Sequence, residues 1–240
     1  MTDFNPEKIM ALLDLTSLNG TDTEATIIQL CQKAVNPKGS VAAVCVYPRF
    51  VKLAQQQLML LDPRIHIATV SNFPAGTQSL SDTLDEINTA IADGADEIDV
   101  VMPYQTFLQG NKKYVRDFIA SCKSNCDQKT LKVILETGVL ATPELITEAS
   151  HLAIDAGADF IKTSTGKTTI GATLEAAEAM LRAIRTSEYE VGFKAAGGVR
   201  TVEQAQSYID SAIQIMGSEW ISPQTFRIGA SQLVDNLLGL

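Results

Sequence analysis

Short runs of β-branched and apolar residues recur along this chain at near-even intervals, and that rhythm narrows its architecture more than any single motif does. The runs are Leu13–Thr16, Val41–Val46, Ile65–Val70, Glu97–Val101, Leu131–Glu136, Phe160–Thr163, Val191–Ala195 and Phe226–Gly229. Their starts lie 24 to 35 residues apart, room for one strand and one crossover helix. The intervening segments carry apolar residues at helical spacing, such as Leu80, Leu84, Ile87 and Ile91, or Leu174, Ala177, Leu181 and Ile184. Helix starts are marked by Thr142-Pro143-Glu144, read as N-cap, N1 proline and first-turn acid, and by Thr201 with Gln204, read as a capping box. Asp93-Gly94-Ala95-Asp96 and Ala156-Gly157-Ala158-Asp159 are matching helix-to-strand turns, their glycines 63 residues or two βα units apart.

Eight such alternations in 240 residues predict an α/β protein: a single (β/α)8 barrel over residues 1–240, preceded by a short N-terminal helix. A doubly wound open sheet competes, but no Gly-x-Gly-x-x-Gly turn follows the first or second strand. The net charge of −9 and pI near 4.7 argue against nucleic acid or an anionic membrane as a partner. Any anion must therefore be held by a local site. Four cysteines in a chain of this length suggest a reducing cytoplasm rather than a disulfide framework. With only His66 and His151 present, a histidine-based metal centre is not expected, nor any cofactor. Met1 to Lys8 lack the basic and apolar regions of a signal peptide, and no apolar run reaches the roughly 18 residues that span a bilayer.

Strand residues of a barrel alternate between the interior and the helix layer. If the large apolar residues face the helices, the inward set is Asp14 and Thr16, Cys45, Glu97, Asp99 and Val101, Lys132, Ile134 and Glu136, Lys162 and Ser164, and Lys194. Doubly buried parallel strands ordinarily read as continuous hydrophobics, so charges here need a reason. An ion-pair network that merely holds the barrel together is one reading, although desolvation offsets most of the gain of such networks. The other is chemical. Lys162 and Lys194 stand on adjacent strands about 4.8 Å apart. At about 4 Å and an effective dielectric near 20, two ammoniums repel by about 4 kcal/mol, enough to lower one pKa by about 3 units. A lysine so tuned can attack a carbonyl and form an imine, with Asp99 handling protons.

Three loops at the C-terminal strand ends can hold a phosphate. They are Thr165-Gly166-Lys167 after the sixth strand, Gly197-Gly198-Val199-Arg200 after the seventh, and Gly229-Ala230-Ser231 at the eighth.

The segments Leu13-Asp14-Leu15-Thr16, Ala43 to Phe50, Asn72-Phe73-Pro74, Glu97 to Val101, Leu135-Glu136-Thr137-Gly138, Phe160 to Lys167 and Gly192 to Arg200 resemble the 2-deoxyribose-5-phosphate aldolase family. The resemblance runs from about residue 10 to 235. It implies a class I, metal-free aldolase that reversibly cleaves 2-deoxy-D-ribose 5-phosphate to acetaldehyde and D-glyceraldehyde 3-phosphate. Carried over by position, Lys162 is the imine lysine, Lys194 its perturbing partner and proton donor or acceptor, and Asp99 a relay through water. Asp14, Cys45, Thr165, Gly166, Lys167, Gly197, Gly198, Gly229 and Ser231 are the expected substrate-binding residues. A homo-oligomer is expected, a dimer favoured. Three departures stand out. Ala195 occupies a position where the family usually has proline, which should loosen that strand end. Gln232 replaces a serine found in some members. The chain ends at Leu237-Leu238-Gly239-Leu240 without the tyrosine-ended tail of many members, which implies a slower proton step. Two other classes compete: a phosphosugar-binding barrel isomerase using Asp99 or Glu136 as base without an imine, and a catalytically silent phosphosugar-binding regulator.

Overall fold

The computed structural model describes residues 5–239; Met1 to Phe4 of the N-terminal reading and the terminal Leu240 lie outside the described residues. Eight parallel strands close a barrel: β1 (Leu13–Thr16), β2 (Ala43–Val46), β3 (His66–Ser71), β4 (Glu97–Val101), β5 (Thr130–Ile134), β6 (Phe160–Lys162), β7 (Gly192–Ala196) and β8 (Phe226–Ala230). Each pairs with its neighbour in sequence, and β1 closes the ring by pairing with both β2 and β8. The expected (β/α)8 architecture is therefore present, with the short helix Pro6–Ala11 ahead of the first strand. An antiparallel pair not anticipated from the sequence, Val35–Asn36 with Gly39–Ser40, sits in the connection before β2 and packs against that first helix.

Strand boundaries shift where polar backbone needs a turn. The run expected to extend to Glu136 stops at Ile134, because Glu136 takes a left-handed conformation (φ 57°, ψ 58°) and turns the chain. Ala195 does not loosen its strand. β7 runs on to Ala196, and Ala195 stays in register with Ile228, because alanine keeps the N–H that proline lacks.

The alternation sorts side chains as expected. Leu13, Leu15, Val44, Val46, Ile98, Val100, Val133, Ile161 and Phe193 join the core between strands and helices. Ala43, Cys45, Ala68 and Val70 form a separate small apolar cluster inside the barrel, near Tyr47 and Phe73 at its mouth. Of the helical stripes, Ile87, Ala177, Leu181 and Ile184 are buried, whereas Leu174 remains 44% exposed at the first position of its helix. Thr142 accepts from the Leu145 N–H, and Thr201 with Gln204 closes a capping box.

The two matching turns do the same work. Asp96 accepts the Ile67 N–H at 3.1 Å and pairs with Lys129, while Asp159 accepts the Leu131 N–H at 2.7 Å and pairs with Lys123. Each aspartate thus ties the start of its own strand to the strand before it. Gly94 and Gly157, at φ 108° and 94°, make the left-handed turns that glycine adopts at least cost.

One close approach inside the barrel demands glycine. Gly192 is in register with Phe160, and a Cβ there would lie 2.3 Å from the phenyl Cε1. Gly192→Ala is expected to lower stability by about 1–3 kcal/mol through overpacking, with Phe160→Leu restoring much of it in the double variant. Denaturant unfolding of the three variants measures this coupling; simple additivity would contradict the packing account.

Candidate active site

Inside the barrel the inward-facing charges form one connected cluster. Asp99 is fully buried between three lysines: its Oδ1 accepts from Lys132 Nζ at 2.9 Å, and its Oδ2 accepts from Lys162 Nζ at 2.8 Å and Lys194 Nζ at 2.7 Å. Lys194 also pairs with Asp14, and Lys132 with Glu97. Arg227 completes the group from β8, donating to Asp14 Oδ1 at 2.6 Å and Glu97 Oε1 at 2.9 Å. His66, half-exposed at the start of β3, adds a 2.8 Å contact to Glu97. Three carboxylates face four basic side chains, so the buried cluster carries an excess positive charge unless one base gives up its proton.

The base least able to hold its proton is Lys162. Burial, with the repulsion of Lys194, brings its pKa below the ordinary lysine value even though Asp99 pulls the other way. The strand-spacing argument put its weight on repulsion between the two lysines; in the structure burial is the larger cause. Burial opposes the Lys194 ammonium too, but Asp14 and Asp99 outweigh it and push its pKa up. Burial likewise works against ionised Asp99, yet Lys132, Lys162 and Lys194 together hold it well below the usual carboxylate range. Burial raises the Cys45 thiol, which stays protonated beside the two lysines. Lys194 and Asp99 therefore keep their charges, and Lys162 is the titrating member.

Local packing makes room for this arrangement. A Cβ on Gly229 would sit 3.1 Å from Lys194 Cε and 3.0 Å from Ala196 Cβ, so the glycine leaves space for the lysine stem. Thr163 Oγ1 donates to the Ala196 carbonyl and accepts the Ala196 N–H, both at 2.9 Å, lacing the ends of β6 and β7.

Above the cluster, at the C-terminal strand ends, lies a cleft of about 350 Å³. It is bounded by Thr16 at the end of β1 with Leu18 and Asn19 beyond it, Lys162 and Thr165 to Lys167 at β6, Ala196 to Arg200 at β7, and Gly229 to Ser231 at β8. Thr165, Gly166, Lys167, Gly197, Gly198, Gly229 and Ser231 thus come together as the sequence predicted. Asp14, Cys45, Asp99 and Lys194 lie beneath the cleft rather than on its wall. Among the described residues lining it, Lys162 is the one member of the buried charge cluster.

Among the described residues the wall carries Lys162, Lys167 and Arg200 and no acidic side chain, a local basic site on an acidic protein. Gly197 and Gly198 stand at φ 92° and 98°. A Cβ on Gly197 would strike Ser164 Oγ at 2.5 Å, while one on Gly198 would meet nothing within 4 Å, leaving that stretch of backbone open to the cleft. Lys167 Nζ donates to the Leu18 carbonyl at 2.6 Å and spans the mouth. Gln232 does not line the cleft. Among the described residues no group of three or more His, Cys, Asp or Glu side chains is placed to hold a metal ion.

Sequence reasoning missed Arg227 and His66, placed Arg200 in a phosphate loop without a part of its own, and gave Lys132 an inward position without a part. Arg227 was open to the same reasoning, since Phe226 and Ile228 face the helices and leave Arg227 inward.

Fold and site together define a (β/α)8 barrel with a buried-lysine cleft at the C-terminal strand ends, where barrel active sites lie. Residues 8–234 match the DeoC/LacD family of aldolases, and the chain belongs to that family. A candidate deoxyribose-phosphate aldolase from Coccidioides immitis is 30% identical with a TM-score of 0.86, covering 96% of this chain and 86% of that one. A second, from Toxoplasma gondii, is 26% identical with a TM-score of 0.88, covering 98% and 94% of the two chains. The tetrameric deoxyribose phosphate aldolase of Aeropyrum pernix, at 24% identity and a TM-score of 0.80 over 98% and 92%, shares the fold.

The charge cluster makes a signed prediction. Lys194→Leu removes a repulsion and should raise the pKa of Lys162; Asp99→Asn removes an attraction and should lower it. The pH dependence of reductive methylation at Lys162, followed by peptide mass analysis in folded protein, reads both. Shifts in the same direction would contradict the assignment.

Proposed function

We propose that the protein reversibly cleaves 2-deoxy-D-ribose 5-phosphate to acetaldehyde and D-glyceraldehyde 3-phosphate through an imine on Lys162, in the catabolism of deoxyribose phosphates. One observation carries this reading: the amine held below its ordinary pKa is also the member of the buried charge cluster that reaches the basic cleft. Membership of an aldolase family, and a relative 30% identical and described as a candidate deoxyribose-phosphate aldolase, support it.

The neutral amine of Lys162 adds to the C1 aldehyde of the open-chain sugar, and loss of water leaves a protonated imine. The C2–C3 bond then breaks. Its electron pair moves to C2 to form an enamine, and the C3 hydroxyl loses its proton to become the aldehyde of D-glyceraldehyde 3-phosphate. Protonation of the enamine at C2 and hydrolysis of the imine release acetaldehyde and restore the amine. In the resting site Asp99 stays a carboxylate and Lys194 an ammonium. Proton exchange then runs through water held by that pair, and Lys194 keeps Lys162 reactive by repulsion. The phosphate end binds the Gly197-Gly198 backbone, Ser231 and Lys167, with Arg200 at the rim.

The isomerase reading needs Asp99 or Glu136 as a free base. Asp99 is held far below the usual range by three lysines, and both Glu136 oxygens accept from Thr165, with Thr168 adding a bond to Oε1. The imine reading fits those contacts better.

Among the described residues no helix is long and apolar enough to cross a membrane. A cytoplasmic location and a homo-oligomer, dimer favoured, complete the proposal; light scattering tests the second.

Incubation with acetaldehyde and borohydride is expected to leave an ethyl group on Lys162, and Lys162→Arg should reduce cleavage to background. An adduct on Lys194 or Lys167 would overturn the assignment. Unphosphorylated 2-deoxyribose should be a much poorer substrate, chiefly through a higher KM, as steady-state kinetics on the two sugars will read.

A further inference from the structure

Glu136 is a buried carboxylate that the proposed chemistry does not use. It follows β5 directly, is fully enclosed, and stands in the left-handed region at φ 57°, ψ 58°, a conformation uncommon for a residue with a side chain. Among the described residues no cation lies at ion-pair distance from it. Its oxygens instead receive donors from one short segment, the turn that follows Lys162. Thr165 donates its hydroxyl to Oε2 at 2.5 Å and its N–H to both oxygens at 3.3 and 3.4 Å, and the Thr168 hydroxyl shares its proton between Oε1 and the Ile170 carbonyl, each at 3.1 Å. The Thr165 hydroxyl in turn accepts the Lys167 N–H at 3.1 Å, and the Lys167 side chain reaches across the mouth to Leu18.

A negative charge placed behind an anion site repels the anion it serves, so this carboxylate has to act through what it holds. Only an acceptor-only group satisfies several converging N–H and O–H donors without turning a donor of its own toward them. We propose that Glu136 is the positioning residue of the phosphate cradle: it fixes the Thr165–Thr168 turn, and thereby the affinity for the phosphate end of the substrate, without taking part at Lys162. The turn is one wall of the cleft, with Thr165, Gly166 and Lys167 on its surface. Its far side is pinned independently, since a Cβ on Gly171 would strike the Gly197 carbonyl oxygen at 2.2 Å and the Ala172 N–H donates to that same oxygen at 2.8 Å. Glu136 therefore governs the near half of the segment. The proposal deepens the reading of the cleft as a phosphosugar site and rests on it.

The test compares Glu136→Ala, Glu136→Gln and Thr168→Val with the unaltered protein, each first shown folded by circular dichroism. Glu136→Ala should raise KM for 2-deoxyribose 5-phosphate roughly ten- to a hundredfold, the loss of charge-assisted hydrogen bonds read as affinity. Its kcat, its kcat/KM for unphosphorylated 2-deoxyribose, and borohydride trapping of acetaldehyde on Lys162 should each stay within about threefold of the parent protein. Glu136→Gln, which keeps one acceptor oxygen, and Thr168→Val, which removes one donor, should fall between. Inorganic phosphate affinity, measured by titration calorimetry, should follow the same order and needs no turnover. Failure of the parent protein to trap acetaldehyde would therefore count against the imine reading alone. An unchanged phosphate affinity and KM in Glu136→Ala would overturn the proposal. So would equal losses on both sugars or lost trapping at Lys162, which would make Glu136 a support of the fold or of the amine, or an absence of phosphate binding by the parent protein.

Discussion

A single carboxylate with three ammonium partners organises the interior of this barrel. Asp99 lies at the centre of β4 and is bonded to Lys132 from β5, Lys162 from β6 and Lys194 from β7. Removing four charges from water costs several kcal/mol each before any attraction is counted. The surrounding groups reduce that cost unequally. Among the described residues Lys132 has Glu97 as well as Asp99, Lys194 has Asp14 as well as Asp99, and Lys162 has Asp99 alone. The unequal sharing sets the titration order. Two lysines are driven to stay charged, and the third absorbs the imbalance by becoming the weaker base.

The same inequality separates the interior from the cleft. Lys132 and Lys194 are sealed, whereas Lys162 is 3% exposed and stands on the cleft wall. A group must be desolvated to have its pKa lowered and must be reachable to react. The last residue of β6 meets both conditions, because the barrel closes below it and the loops open above it. The surroundings of Lys162 then divide by character. On the cleft wall stand glycine backbone, Lys167 and Arg200. Beneath the cleft, inside the barrel toward β2 and β3, lies the small apolar cluster of Ala43, Cys45, Ala68 and Val70. Such a division suits a substrate with one anionic end and a short aldehyde-bearing end.

Two carboxylates in this region work in opposite ways. Asp99 sits among cations and fixes their charges, while Glu136 has no ion-pair partner among the described residues and fixes a turn through Thr165 and Thr168. Both were plausible general bases from residue type and inward parity alone. Their hydrogen-bond partners remove that freedom.

The sequence by itself determined the barrel, because eight β-branched runs at βα-unit spacing leave few ways to bury both faces of every strand. It also determined the inward set of Asp14, Glu97, Asp99, Lys132, Lys162 and Lys194, since period-two alternation sends large apolar neighbours outward. The same rule would have found Arg227, between Phe226 and Ile228. What only the tertiary structure decided is which charges share partners. Asp14 and Arg227 are 213 residues apart and Asp99 and Lys194 are 95 apart, and contacts of that kind depend on how the closed ring staggers its strands. Strand spacing predicted that Lys162 and Lys194 would repel, but burial, the larger cause of the lowered Lys162 pKa, comes from closure of the barrel around them. The place of Glu136 was also hidden, because its left-handed turn ends the strand that its apolar neighbours appeared to extend. Local pattern fixes which way a side chain points; the packed ring fixes what it meets there.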